Sequence, residues 1–225
     1  MDRLYVAAKA PRAGFVKTRL AKRVGDVAAA ELYRAFLSDL SARLRGLPIS
    51  TGWFVTPDEA WQEVSAVVGA GWSDPVPQGD GEWGTRQDRL FRTTPDRDEQ
   101  RVVLIASDSP QVGLAQVTEA FDALDSHDVV LGPVLDGGYW LIGMRTHVEL
   151  LGAVPMSTSC VLVEILAEAR RAGLSVHLLE PQFDVDEVSD LADLEAAVRS
   201  HGDMPATGAV LASLERAGTV AAVSA

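Results

Sequence analysis

Four cations crowd one glycine near the start of this chain. In the stretch AKAPRAGFVKTRL, Ala8 to Leu20, Lys9, Arg12, Lys17 and Arg19 surround Gly14, and no acid stands among them. A loop of this kind that leads into a helix at about Lys17 can wrap an anion with backbone N–H groups and neutralise it with Lys and Arg. It is not a P-loop, because the Gly-x-x-x-x-Gly-Lys-Ser/Thr spacing is absent. The plain alternative is a solvated basic turn. Further along, Gly79-Asp80-Gly81-Glu82-Trp83-Gly84 matches G-x-G-x-x-G, yet Asp74 to Gln78 make a poor preceding strand, and no acid closes a second strand about 20 residues on. The dinucleotide reading is therefore set aside for a loop that approaches a ligand, with Gly81 and Arg86 as contacts.

Acids supply the complementary chemistry. Ser107-Asp108-Ser109-Pro110 follows the most apolar run of the chain, where a carboxylate can bind a hard metal or a ribose, or can cap a turn. Asp136-Gly137-Gly138-Tyr139 joins two apolar runs. Asp-Gly is a hairpin signal, but paired glycines also admit a ligand to the backbone, and Asp136 is then a candidate acid or base facing the pocket. In Phe183-Asp184-Val185-Asp186, a strand conformation would turn Asp184 and Asp186 to one side, where both could hold a cation; one of them could instead cap the helix from Glu187. The four histidines show no metal-ligand spacing and read as surface or structural. Cys160, the only cysteine, reads as a small buried residue and excludes an internal disulfide. Trp53, Trp61, Trp72 and Trp83 read as packing residues.

The elements that must position these residues follow from apolar periodicity. Strands are expected at Leu4–Ala8, Ile49–Val55, Val102–Ala106, Val129–Leu131, Tyr139–Ile142 and Val176–Leu179. Helices are expected at Asp26–Arg45, from Pro57, and at Leu114–Leu124, Val161–Ala172 and Glu187–Arg199. Strands alternating with helices predict an α/β fold with a mostly parallel sheet, whose ligands bind beyond the carboxyl ends of the strands. The 225 residues suit a domain at 1–201 and a C-terminal appendage at 202–225, a helix packed on the domain or on a partner such as a second copy of the chain. A net charge of −12 argues against nucleic acid as a partner. No apolar run is long enough for a membrane span and no signal peptide is evident, which gives a cytoplasmic expectation.

Five blocks occur in order: K-A-P-x-x-G-x-V-K-T-R-L at Lys9–Leu20, G-x-W-G-x-R at Gly81–Arg86, S-D-S-P at Ser107–Pro110, L-G-P-x-x-D-G-G-Y-W-L-I-G at Leu131–Gly143, and D-V-D-x-x-x-D-L at Asp184–Leu191. Together they resemble the bacterial DUF2064 family, a branch of the GT-A nucleotide-diphospho-sugar transferase superfamily. The layout is also similar to F420-type guanylyltransferases and molybdenum-cofactor nucleotidyltransferases. The resemblance implies a three-layer α/β/α, Rossmann-like GT-A fold. It implies a nucleotide held by Lys9, Ala10, Gly14, Lys17, Arg19, Gly81, Arg86, Ser107 and Asp108, and Mg²⁺ or Mn²⁺ on Asp108, Asp184 and Asp186. An acceptor would lie against Asp136, Gly137, Gly138 and Tyr139. Arg12 and Ala13 stand where the family often has prolines, and Met156 where a Trp is expected.

Two reactions fit. In nucleotidyl transfer from a nucleoside triphosphate to a small phosphorylated or acidic acceptor, Lys17 and a metal on Asp108 would offset charge at the reacting phosphate. In glycosyl transfer from a nucleotide sugar, Asp136 would be the base. Four cations in one loop favour a triphosphate and hence the first. A nucleotide-binding protein without catalysis is the third reading.

Overall fold

The computed structural model describes residues 2–73, 75–94, 101–152, 154–156 and 158–218. Among them seven strands form one sheet in the order β3-β2-β1-β4-β6-β5-β7. The strands are β1 (Arg3–Lys9), β2 (Ser50–Thr56), β3 (Val76–Pro77), β4 (Val102–Ala106), β5 (Val129–Pro133), β6 (Tyr139–Met144) and β7 (Val176–Leu178). Neighbours pair in parallel except β6, which runs antiparallel to both β4 and β5. The mixed α/β expectation is borne out.

Period-two alternation sorts the strand residues onto two faces. Leu4, Val6 and Ala8 of β1, with Val103 and Ile105 of β4, pack under α1 (Thr18–Val24), α2 (Asp26–Leu44), α3 (Trp61–Val68) and α5 (Leu114–Ala123), and the same cluster continues to α7 (Leu191–His201) and α8 (Pro205–Arg216). Tyr5, Phe54, Leu104 and Ile142 face the other way, onto α4 (Trp83–Thr93) and α6 (Val161–Arg171). Central strands buried on both faces read as continuous apolar runs, which is why β1 and β4 stand out in the sequence.

Four local readings of the sequence need correction. α4 was not expected, because Asp80 to Thr93 is largely polar and, of its buried residues Gly84, Gln87, Leu90 and Phe91, only the last two carry large apolar side chains. The helix anticipated from Pro57 begins at Trp61, and Pro57 to Ala60 form the turn that starts it. Asp184 and Asp186 lie outside any strand: the chain there belongs to no strand ladder, then passes through a 3-10 turn at Val188–Asp190 into α7. Cys160 is exposed, not buried, because it stands at the solvent-facing start of α6.

α8 is fastened to α2 by one buried acid. Asp39, 2% exposed, accepts hydrogen bonds from the backbone N–H groups of Ala206 and Thr207 at 3.0 and 2.8 Å. These are donors that a helix start leaves without intrahelical partners. Replacing Asp39 by Ala removes a charged acceptor of two N–H groups. We expect a stability loss of about 2 kcal/mol in urea unfolding, with faster amide exchange confined to α8. An unchanged midpoint would show that α8 does not depend on this cap.

Candidate active site

The carboxyl ends of β1 and β4 and the start of the antiparallel β6 open into a cavity of about 470 Å³. Its walls include Lys9 at the end of β1, Ser107, Asp108 and Ser109 after β4, Tyr139 and Trp140 at the start of β6, and Asp184. The loop before α4 and its first turns form a further wall with Gln78, Gly81, Glu82, Trp83, Arg86 and Gln87.

Backbone bonds draw the separate segments together. The Val185 N–H donates to the Asp108 carbonyl at 3.0 Å, and the Gln111 amide donates to the Phe183 carbonyl at 2.6 Å. The 182 to 186 segment is thereby pinned beside the end of β4. Gln182 N–H donates in turn to Pro133 O at the end of β5. Gly137, at φ +94°, lets the hairpin close on the start of α6: a Cβ there would sit 2.0 Å from the Ser159 carbonyl oxygen, and its own carbonyl accepts from Leu162 N–H. Any side chain at position 137 would push the hairpin and α6 apart.

Lys17 is the electrostatic centre. It precedes α1 in the left-handed conformation, φ 50° and ψ 42°, the one positive φ among the described residues other than glycine. Such a backbone is costly for a side-chain-bearing residue and persists where the surroundings over-determine it. The result is a side chain only 3% exposed, whose ammonium pairs with Asp108 and lies 3.2 Å from Asp186 Oδ1. Arg19, more than half exposed, pairs with Asp186 and reaches Glu187 at 3.4 Å. Burial opposes ionisation of Asp108, but the Lys17 ammonium, aided by Lys9 and Arg19, outweighs it and holds the carboxyl below the usual carboxylate range.

Asp184 is the opposite case. It makes no hydrogen bond or ion pair among the described residues. Burial raises its pKa first, and the charges of Asp186, Asp136 and Asp108 add to this against Lys17, so the carboxyl is pushed up to about 6. Four acids thus share a neighbourhood with one buried ammonium.

Tyr33 on α2 braces the cavity. Its hydroxyl accepts from Lys9 N–H at 3.0 Å and shares a 2.8 Å bond with Ser107 Oγ, tying the ends of β1 and β4 together. Burial, then the Asp108 charge, raises its pKa and keeps it neutral. The glycine-rich loop before α4 is held from within: Arg86 donates to Gly81 O at 2.7 Å, and Arg89 donates to Gln78 O and Asp80 O, both at 2.8 Å.

Of the residues singled out in the sequence, Lys9, Gly81, Arg86, Ser107, Asp108, Tyr139 and Asp184 line the cavity. Lys17, Arg19 and Asp186 form the ion cluster joined to it through Asp108. Ala10 is buried just beyond β1, and Gly14 takes φ +75° in the turn before Lys17. Asp136, Gly137 and Gly138 are not among the lining residues. Asp136 is exposed, and its Oδ1 accepts the Gly138 N–H at 3.0 Å, the turn-forming role. Arg12 pairs with Glu63 on the surface, away from the other cations. Sequence reasoning passed over Tyr33, Gln78, Gln87 and Ser109. The available signal was a polar side chain at a core-facing position: Tyr33 within Leu32-Tyr33-Phe36-Leu37, and Gln87 three residues before Leu90.

A mixed, mostly parallel sheet with a basic turn after β1 and an acid just beyond β4 is a transferase-like α/β architecture, and the comparisons agree. Residues 47–158 match the model of the family DUF2064, described as an uncharacterized protein conserved in bacteria, so the resemblance carried by the motifs is borne out. The chain is 28% identical over 187 residues to a 2-phospho-L-lactate guanylyltransferase of Methanothermobacter thermautotrophicus, covering 79% of this chain and 78% of that one. It superposes with a TM-score of 0.89 on a crystal structure from Desulfovibrio desulfuricans G20, provisionally described as a nucleotide-diphospho-sugar transferase; the identity is 29% over 96% of this chain and 95% of the other. A nucleotidyl transferase structure from Methanothermobacter shares the fold at TM-score 0.57 and 16% identity, covering 89% of this chain and 99% of that one. No described helix is long and apolar enough to cross a membrane.

The raised Asp184 pKa fixes a pH dependence. A carboxyl that titrates near 6 when folded and near 4 when unfolded favours the folded state while it is protonated. Its contribution is present below the unfolded value and is lost as pH rises to about 6. The Asp184 side-chain carbon resonance should titrate near pH 6, and Asp184→Asn should flatten the stability change between pH 4 and 6. A midpoint near 4 would contradict the crowding of acids described above.

Proposed function

We propose that the protein transfers a nucleotidyl group from a nucleoside triphosphate to a small phosphorylated acceptor. The observation that carries this reading is the Lys17 ammonium, buried yet held by two carboxylates at the edge of the cavity, on the turn that follows β1. A triphosphate entering along Lys9 brings oxyanions that compete for that ammonium. The guanylyltransferase relative supports the same class of reaction. Phosphoryl chemistry of this kind needs positioning and fixed positive charge more than it needs a base.

Roles for the chain's residues follow. Backbone groups of the Ala10–Lys17 turn hold phosphate oxygens. Lys17 and Arg19 neutralise them, and the Tyr33 hydroxyl keeps Lys9 and Ser107 in register. Gly81 and Arg86 face the nucleoside end. Asp108, Asp184 and Asp186 offer only hard oxygen donors, and the unpaired Asp184 among them fits a divalent cation such as Mg²⁺ or Mn²⁺. Among the described residues no three acids or imidazoles are gathered as a ready-made metal cage. That suits a cation which takes one or two carboxylates and completes its shell with substrate phosphates. When bound, such a cation supplies charge neutralisation at the reacting phosphate.

Glycosyl transfer from a nucleotide sugar is the second reading, favoured by the similarity to the Desulfovibrio protein. An inverting transfer of this kind needs a base near the sugar carbon to take the acceptor's proton. The placement of Asp136, exposed and engaged in its own turn, weighs against it for that role.

A thermal-shift panel of ATP, GTP, CTP, UTP, dTTP and the common UDP-, GDP- and dTDP-sugars, each with Mg²⁺, Mn²⁺ or chelator, tests the proposal. A ligand at 100 times its dissociation constant adds about 2.7 kcal/mol. We expect cation-dependent stabilisation by one triphosphate above its sugar derivatives. Stabilisation by a nucleotide sugar alone would favour the second reading. Asp108→Ala should lower kcat/KM by about 100-fold or more while the fold persists; full activity would remove Asp108 from the mechanism.

A further inference from the structure

Two demands fall on the same carboxylates. Asp108 and Asp186 are two of the acids that fit a divalent cation, and both are partners of the Lys17 ammonium. Arg19 meets Asp186 as well. Of the acids offered to a cation, only Asp184 has no hydrogen bond or ion pair among the described residues.

The exposures run in opposite directions. The Lys17 side chain is almost wholly buried, while those of Asp108 and Asp186 are 39% and 29% exposed, and Asp108 lines the cavity. A cation arriving from solvent therefore reaches oxygen atoms that already carry a buried positive charge. The left-handed turn at Lys17 and the burial of its stem hold that charge in place. A unit charge a few ångströms away opposes a second cation on the same oxygens, and opposes a divalent one twice over. A triphosphate reverses the balance, because its oxyanions offset the ammonium and complete the cation's shell.

We propose that Lys17 is the resident counter-ion of the cation site: it keeps Asp108 and Asp186 from taking a divalent cation unaided, so that cation and triphosphate bind only as a pair. The proposal rests on the nucleotidyl-transfer reading above and adds a control to the same site. The coupling is reciprocal, each ligand raising the affinity for the other.

The test is a titration of Mn²⁺ into the full chain without nucleotide, with free Mn²⁺ read by electron paramagnetic resonance. In the native chain, Asp108→Asn should leave Mn²⁺ binding unchanged, since the surface acids that remain do not involve that site. Lys17→Met should gain a site that binds Mn²⁺ about tenfold or more tightly than the native chain does, and adding Asp108→Asn should remove the gain. Lys9→Met deletes a lining cation that pairs with no acid among the described residues, and should change the affinity by less than about threefold. Lys17→Gly is the second variant, because glycine suits the positive φ at this position, and circular dichroism checks the fold of each. Equal Mn²⁺ affinity in the native chain and a folded Lys17 variant overturns the proposal. So does an equal gain in Lys9→Met, or native binding that Asp108→Asn weakens tenfold. Each of these outcomes leaves nucleotidyl transfer standing. Absence of binding by every triphosphate overturns both.

Discussion

The site depends on one ammonium group kept out of water. Taking the Lys17 charge into a 3%-exposed position is tolerable only because Asp108 and Asp186 meet it there. That requirement reaches back into the fold. Asp108 must stand at the end of β4, Asp186 must arrive from the far end of the chain, and Lys17 must adopt a backbone conformation that its own Cβ disfavours. The hydrogen bond from Val185 N–H to the Asp108 carbonyl joins two of these arrivals directly. The Phe36 ring, 5.9 Å beneath the ammonium, supplies an apolar floor with a favourable π face.

Around this centre the cavity is built by satisfied and unsatisfied polar groups in deliberate contrast. The β1 and β4 ends are locked through the Tyr33 hydroxyl, and the loop before α4 is locked by Arg86 and Arg89. These groups are held by hydrogen bonds within the protein. Asp184, on the cavity wall, makes no hydrogen bond or ion pair among the described residues. Rigid walls with a few open valences are the arrangement that lets a ligand's own groups complete the network, and the ligand then gains energy that a flexible pocket would lose in ordering itself.

Much of this was legible in the sequence, for physical reasons that differ by element. β1 and β4 are buried on both faces, so their apolar runs were plain, and the residues just after them, Lys9 and Ser107–Asp108, were placed by the rule that parallel strands end at the ligand. The pairing of Lys17 with Asp108 and Asp186 was not legible, since it joins residues 91 and 169 positions apart and depends on how the 182 to 186 segment docks. α4 was missed because its buried stripe is narrow and two of its inward positions are Gly84 and Gln87. Gly84 is small for a reason that only the fold reveals: a Cβ there would lie 2.5 Å from the Leu151 carbonyl oxygen. With α4 missed, Gln87 had no face to be read on. Asp136 illustrates the converse, a residue whose turn chemistry in Asp-Gly-Gly was itself the better guide to its place.

The central claim is that Lys17 is held in readiness for the phosphates of a nucleotide. Calorimetric titration of the full chain and of Lys17→Met with Mg²⁺ and each triphosphate tests it most directly, with circular dichroism to show that the variant is folded. The account predicts that one triphosphate binds the native chain and that Lys17→Met weakens it at least tenfold, about 1.4 kcal/mol. Equal affinity in the two folded proteins would mean that the buried ammonium serves the fold alone, and the account would be wrong at its centre.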